Sequence, residues 1–87
     1  MSVSRLVVAS ERKSASERIE RLKAEARGLA HENLETLNET LNEVVKFAVE
    51  ICEGGDLYPV GAQELARRLK EEAGRHALAL SAIIARH

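Results

Sequence analysis

The chain has few of the residues that mark a β-rich or a disulfide-stabilised protein. Its 87 residues include one phenylalanine, one tyrosine, one proline, one cysteine and no tryptophan. Strands favour β-branched and aromatic residues, so an aromatic content of 2% argues against an all-β domain. The single thiol, Cys52, leaves no internal disulfide and indicates a reducing, cytoplasmic compartment.

Long apolar runs and a strong net charge are also missing. The main apolar runs, residues 6–9 and 77–85, are far shorter than the ~18 residues of a membrane-spanning helix. A formal net charge of −1 argues against a protein built mainly to bind nucleic acid or an anionic membrane. We therefore expect a soluble protein with no membrane contact.

Helix-forming residues dominate, with apolar side chains at steps of three and four along most of the chain. This pattern predicts an all-α fold in which residues 14–87 form a single helical domain. Residues 1–13 have no clear period and form an N-terminal arm, which is flexible, a short strand or a helical extension. The capping-box sequence Ser14-Ala15-Ser16-Glu17 predicts that the first helix begins at Ser14.

The apolar stripe between Ala15 and Cys52 has two interpretations. At about 100° per residue its two halves lie on one face, which favours a single long helix over about 14–53. Its step is irregular near residues 28–33, and a break there would give a three-helix bundle instead. Gly28 is the main argument for the break, since a glycine costs about 1 kcal/mol inside a helix.

The end of this helix and the start of the next are marked by glycine and proline. Gly54 and Gly55 predict the stop, because glycine adopts the left-handed conformation at helix C-termini without a steric penalty. Pro59 suits the first turn of a second helix over about 60–85. The expected architecture is a long helical hairpin.

A two-helix hairpin of this size cannot enclose a core, because each helix has only one neighbour. We therefore predict a homodimer in which two hairpins pair into a four-helix bundle with coiled-coil-like packing. The charge also changes sign along the chain, with a net +3 over residues 1–31, −6 over 32–56 and +2 over 57–87, so antiparallel packing of the last helix on residues 32–53 sets basic against acidic groups. The candidate interaction surface consists of Leu78, Leu80, Ile83, Ile84, Ile19 and Leu22.

None of the polar residues forms a convincing chemical site. His76 lies in an apolar stripe and fits a histidine at the edge of the core. His31 and Glu35 are four residues apart, but no second pair at metal-ligand spacing exists. Cys52 and Ser81 have no evident base and orienting group. We therefore expect no catalytic residue, no metal and no cofactor.

Residues 61–69, Gly-Ala-Gln-Glu-Leu-Ala-Arg-Arg-Leu, resemble the first helix of helix-turn-helix DNA-binding proteins in their E-L-A-x-x-L pattern. The resemblance implies a DNA-associated transcriptional regulator that uses the 62–75 region or the basic N-terminal arm. That family expects a turn glycine soon after Leu69, whereas residues 70–73 continue the helix. Our first hypothesis is therefore a small regulatory or adaptor module that binds itself and another protein, and DNA binding is the alternative.

Overall fold

The computed structural model describes the backbone of residues 2–86 and the side chains of residues 11–86. Along this part of the chain, helix α1 (Ser2–Glu53) is followed by a short 3-10 helix (Gly55–Leu57) and by helix α2 (Val60–Ala85), and no strand occurs. The predicted all-α class and the limits of the second helix are confirmed.

The chain is divided into two compact units, Met1–His31 and Glu32–His87. The first unit is helical throughout its described residues. The second unit is a helical hairpin, made of the last part of α1 and the whole of α2. None of the described helices contains a stretch that is both long and apolar enough to cross a membrane.

Helix α1 begins earlier than predicted and does not break. It starts at Ser2, so the predicted start at the Ser14 capping box is wrong. The sequence holds no proline or glycine between these two serines, so nothing interrupts a helix there. The helix also passes through Gly28 and Asn33, which confirms the single long helix and excludes the break. Residues 2–13 belong to this helix, so of the three forms predicted for the N-terminal arm the structure has the helical extension.

The turn between the helices depends on Gly55, which adopts φ +60°. Only glycine enters this left-handed region without strain, as the sequence predicted. A Cβ atom at Gly54 would collide with the ring of Tyr58, so this position also needs glycine. Gln63, in the first turns of α2, donates its side-chain amide to the carbonyl oxygens of Gly55 and Tyr58, at 2.9 Å for Tyr58. The turn is therefore held by its own backbone and by one amide.

The buried residues of the hairpin are all alanines. Among residues 11–86, the only buried side chains are those of Ala48 in α1 and of Ala66, Ala73 and Ala77 in α2, which we call the alanine seam. Small side chains such as alanine let two helix backbones approach closely. The cost is that the hairpin buries little apolar surface, since each alanine contributes far less than a leucine or a phenylalanine.

Candidate protein-interaction surface

The contact between the two helices follows a regular heptad spacing. Covered or half-covered residues recur at steps of three and four in both helices, which is the pattern of two helices packed along one stripe. These contact positions are Leu34, Asn38, Leu41, Val45, Ala48 and Cys52 in α1, and Gln63, Ala66, Lys70, Ala73, Ala77, Leu80 and Ile84 in α2.

Two hydrogen bonds fix the alignment of the antiparallel helices. Near the turn, the thiol of Cys52 donates to the carbonyl oxygen of Gln63 at 3.8 Å. Near the open end, Nδ2 of Asn38 donates to Oγ of Ser81 at 2.9 Å. The Oδ1 atom of Asn38 is buried and has no hydrogen-bond partner. The two bonds show which residues of α1 and α2 lie at the same level.

One side of this hairpin is apolar on both helices. Each residue turns a helix by about 100°, and the chain direction reverses between α1 and α2, so the residues that precede the contact positions point to the same side of the hairpin in both helices. Those residues are Asn33, Leu37, Thr40, Val44, Phe47 and Ile51 in α1, and Ala62, Leu65, Leu69, Glu72, His76, Ala79 and Ile83 in α2. Only four of them are polar. We call Leu37, Val44, Phe47, Ile51, Leu65, Leu69 and Ile83 the apolar face.

Five of the seven side chains of the apolar face are exposed, and those of Val44 and Ile51 are half-buried. Phe47 is 61% exposed, Leu65 is 58% exposed and Leu37 is 50% exposed. Leu69 and Ile83 are also exposed, at 42% and 48%. Isolated exposed leucines are common on proteins, but a contiguous set of large apolar side chains on one side marks an interaction surface.

The opposite side of the hairpin is charged. The residues that follow the contact positions include Glu35, Glu39, Lys46, Glu53, Glu64, Arg67 and Glu71. Arg67 lies 2.7 Å from Glu64 and 3.0 Å from Glu71. Hydrogen bonding and charge from Arg67 lower the pKa of the Glu64 carboxyl, and the same pairs raise the pKa of Arg67. All three groups are solvent-exposed, so these pairs keep this side hydrated without contributing much stability.

Within the second unit, the predicted surface residues do not share one side of the hairpin. Leu80 and Ile84 occupy contact positions between the helices and are half-buried. Ile83 lies on the apolar face, whereas Leu78 points to the charged side and is 76% exposed. Ile19 and Leu22 belong to the first unit and are both exposed.

Six residues of the apolar face were missing from the predicted surface: Leu37, Val44, Phe47, Ile51, Leu65 and Leu69. The signal that could have found them is the second heptad stripe, which runs one residue ahead of the contact stripe in each helix.

The candidate chemical residues are not assembled into a site. His76 is exposed on the side that carries the apolar face, and Cys52 is half-buried between the helices. Two shallow cavities lie on the hairpin. One of about 340 Å³ is lined by residues that include Cys52 and Lys70, and one of about 410 Å³ by residues that include Asn38 and Ser81. Among the described residues, no group of three histidine, cysteine, aspartate or glutamate side chains is placed to hold a metal ion.

The 62–75 region forms part of one continuous helix. Helix α2 runs from Val60 to Ala85 without the turn that a helix-turn-helix motif requires. Two of its three arginines are engaged locally, because Arg67 and Arg68 both contact Glu64, with Arg68 at 3.5 Å. The resemblance to that family is therefore limited to a short sequence pattern.

Comparison with known proteins adds no relative: no protein-family model, no curated protein and no solved structure matches this chain.

Proposed function

We propose that this chain is a small regulatory or adaptor module that acts by binding helical polypeptides through the apolar face, without catalysis. The observation that carries the proposal is the exposure of Leu37, Phe47, Leu65, Leu69 and Ile83 on one side of a hairpin that buries only alanines. Full burial of a side chain of this size is worth about 1.5–3 kcal/mol, and these five side chains, which are 42–61% exposed, forgo roughly half of that each. A groove between two helices is a common seat for an amphipathic helix.

The compartment belongs to the same proposal. A chain with one cysteine derives no stability from an internal disulfide, and Cys52 is a free, half-buried thiol. These features suit a reducing cytoplasm, where the apolar face would meet intracellular proteins.

Two leucines of α2 allow a matched test. Leu69 lies on the apolar face and Leu78 on the charged side, and both are exposed in the isolated chain. We expect Leu69→Glu to weaken association with the chain's protein partners, itself included, by ~100-fold or more, because a buried carboxylate would lose its hydration. We expect Leu78→Glu to leave association within about threefold of the wild type. Circular dichroism of both variants checks that the helices are retained.

The measurement is a titration of self-association by sedimentation, together with identification of the proteins that co-purify with each tagged variant. If Leu69→Glu alters neither the self-association nor the set of co-purifying proteins, the proposed function is wrong. Binding to duplex DNA that falls steeply with salt and survives Leu69→Glu would instead support the DNA-associated alternative.

A further inference from the structure

The first unit carries an apolar stripe that is exposed in the same way. Within residues 11–31 every side chain is exposed except those of Ala15 and His31, which are partly covered. Ile19 is 51% exposed, and Leu22 and Leu29 are each 63% exposed. With Ala26 these residues recur at helical spacing, so they form one stripe along one side of a helix. The chain thus has an uncovered helical stripe and, in its second unit, an uncovered groove between two helices.

The two surfaces suit each other in shape. The stripe of residues 11–31 spans about 30 Å at 1.5 Å per residue, and the groove beside α2, a helix of 26 residues, spans about 39 Å. The stripe presents branched side chains and alanines, and the groove presents Phe47 and Leu65 at one end and Ala79 and Ile83 at the other. Helices of this kind pack by inserting side chains of one into gaps of the other.

The two surfaces also suit each other in charge. Residues 1–31 carry seven basic and four acidic side chains, whereas residues 32–87, which include both helices of the groove, carry six basic and ten acidic side chains. Half of these acidic side chains lie on the charged side, so the complementarity acts on the approach of the two chains rather than inside the groove. Opposite charges along two packed helices favour their encounter and set their orientation. Resting on the proposed function, we infer that the apolar face is occupied by residues 11–31 of a second copy of this chain.

Symmetry and charge together select an antiparallel arrangement of the two α1 helices. In a parallel two-fold dimer, the net +3 segment would lie against its own copy and the net −6 segment against its own copy. In an antiparallel dimer, the basic segment of each copy lies against the acidic segment of the other. Matching the apolar residues then places Leu22 of one copy near Val44 of the other. Two-fold symmetry repeats this contact site, which we call the seat, at the other end of the dimer. Each end is then a three-helix bundle.

The first experiment compares two substitutions in the first unit of the full chain. We expect the wild type to sediment at tens of micromolar as a dimer of two 9.6 kDa chains. Leu22→Glu should raise the dissociation constant by ~100-fold or more, because it places a carboxylate in the seat. Ala24→Glu adds the same charge on the opposite side of the same helix and should change the constant by less than about threefold. A monomer at these concentrations, or equal effects of the two variants, overturns the inference.

A second experiment tests the orientation with single cysteines. Two proteins are made in the Cys52→Ser background, one with Leu22→Cys and one with Val44→Cys. On mild oxidation, the mixture of the two should give a mixed disulfide dimer, and the Leu22→Cys protein alone should remain largely uncrosslinked, because its thiols lie about 30 Å apart. Rapid crosslinking of the Leu22→Cys protein with itself would show a parallel dimer and overturn the inference.

The two proposals fail in different ways. A monomeric chain from which Leu69→Glu, but not Leu78→Glu, removes a co-purifying protein overturns the second-copy inference and leaves the proposed function standing. A dimer that is lost in Leu22→Glu and in Leu69→Glu, and kept in Ala24→Glu and Leu78→Glu, supports both.

Discussion

The alanine seam and the apolar face lie side by side on the same hairpin, and they reverse the usual distribution of side chains. In a monomeric protein the largest apolar residues are buried and the small ones are found anywhere. Here the seam buries Ala48, Ala66, Ala73 and Ala77, whereas Phe47, immediately next to the seam, is 61% exposed. The difference indicates that the intrachain contact sets the geometry of the two helices, and it supports the proposal that the exposed apolar residues contact another molecule.

The substitution with the largest expected effect fills the seam with a larger side chain. Ala73→Leu adds three carbon atoms where two backbones approach closely, and overpacking of this kind costs about 1–3 kcal/mol. Thermal unfolding followed by circular dichroism at a fixed chain concentration measures this loss. The larger side chain at position 73 would force the two helices apart. It would therefore also change the distance between the α1 and α2 residues of the apolar face.

Ala82→Leu is the matched control for the seam, because Ala82 is exposed and lies outside both the seam and the apolar face. We expect its free energy of unfolding to stay within about 0.5 kcal/mol of the wild type. If Ala73→Leu is tolerated as well as Ala82→Leu, the helices are not held at the close distance that the alanines imply.

Much of this fold follows from local sequence signals, and the limits of the sequence reasoning have physical causes. The end of α1 and the start of α2 were predictable because Gly55 can enter the left-handed region that ends a helix and Pro59 fixes its own φ near the helical value. The start of α1 was not, because a capping box such as the one at Ser14 favours a helix start only where the preceding residues leave the helix.

The division of the apolar residues into seam and face was the main feature that the sequence pattern left open. The stripe of α2 includes Leu65 and Ala66, and then Ile83 and Ile84, at adjacent positions. Such a stripe is wider than one neighbouring helix can cover, which is why the sequence predicted a partner. Which edge of the stripe contacts α1 depends on tertiary packing, and only the structure shows that the alanine edge does so.

A second substitution, with a smaller expected effect, tests the polar pair Asn38 and Ser81, which interrupts the apolar contact between the helices. Ser81→Ala removes the acceptor of the Asn38 amide, whose Oδ1 atom already lacks a partner. Leaving a partly buried amide without hydrogen bonds costs about 1 kcal/mol. We expect that loss in the unfolding free energy of Ser81→Ala, measured by urea denaturation.

The double variant Asn38→Leu/Ser81→Ala provides the control for this pair. Replacing both polar groups with apolar ones removes the unsatisfied amide, so its stability should return to the wild-type value or exceed it. A double variant that is less stable than Ser81→Ala alone would show that the amide stabilises the hairpin through some other contact.

The smallest expected effect concerns the charged side of the hairpin. Its ion pairs are expected to keep this side hydrated and to add little to the free energy of unfolding. Arg67, mainly by donating hydrogen bonds, holds the pKa of Glu64 below its ordinary value of 4.5. A carboxyl with a lowered pKa stabilises the folded chain above its ordinary pKa, and this contribution disappears as the pH falls through the lowered value. Glu64→Gln should therefore lower the melting temperature slightly at pH 7 and leave it unchanged in strong acid, where the wild-type carboxyl is also neutral.

Glu53→Gln removes the same charge from a carboxylate outside the Arg67 pairs and controls for net charge. A loss in Glu64→Gln as large as that in Ala73→Leu would contradict the assignment of this side as solvated surface, and would move part of the hairpin's stability from the alanines to the ion pairs.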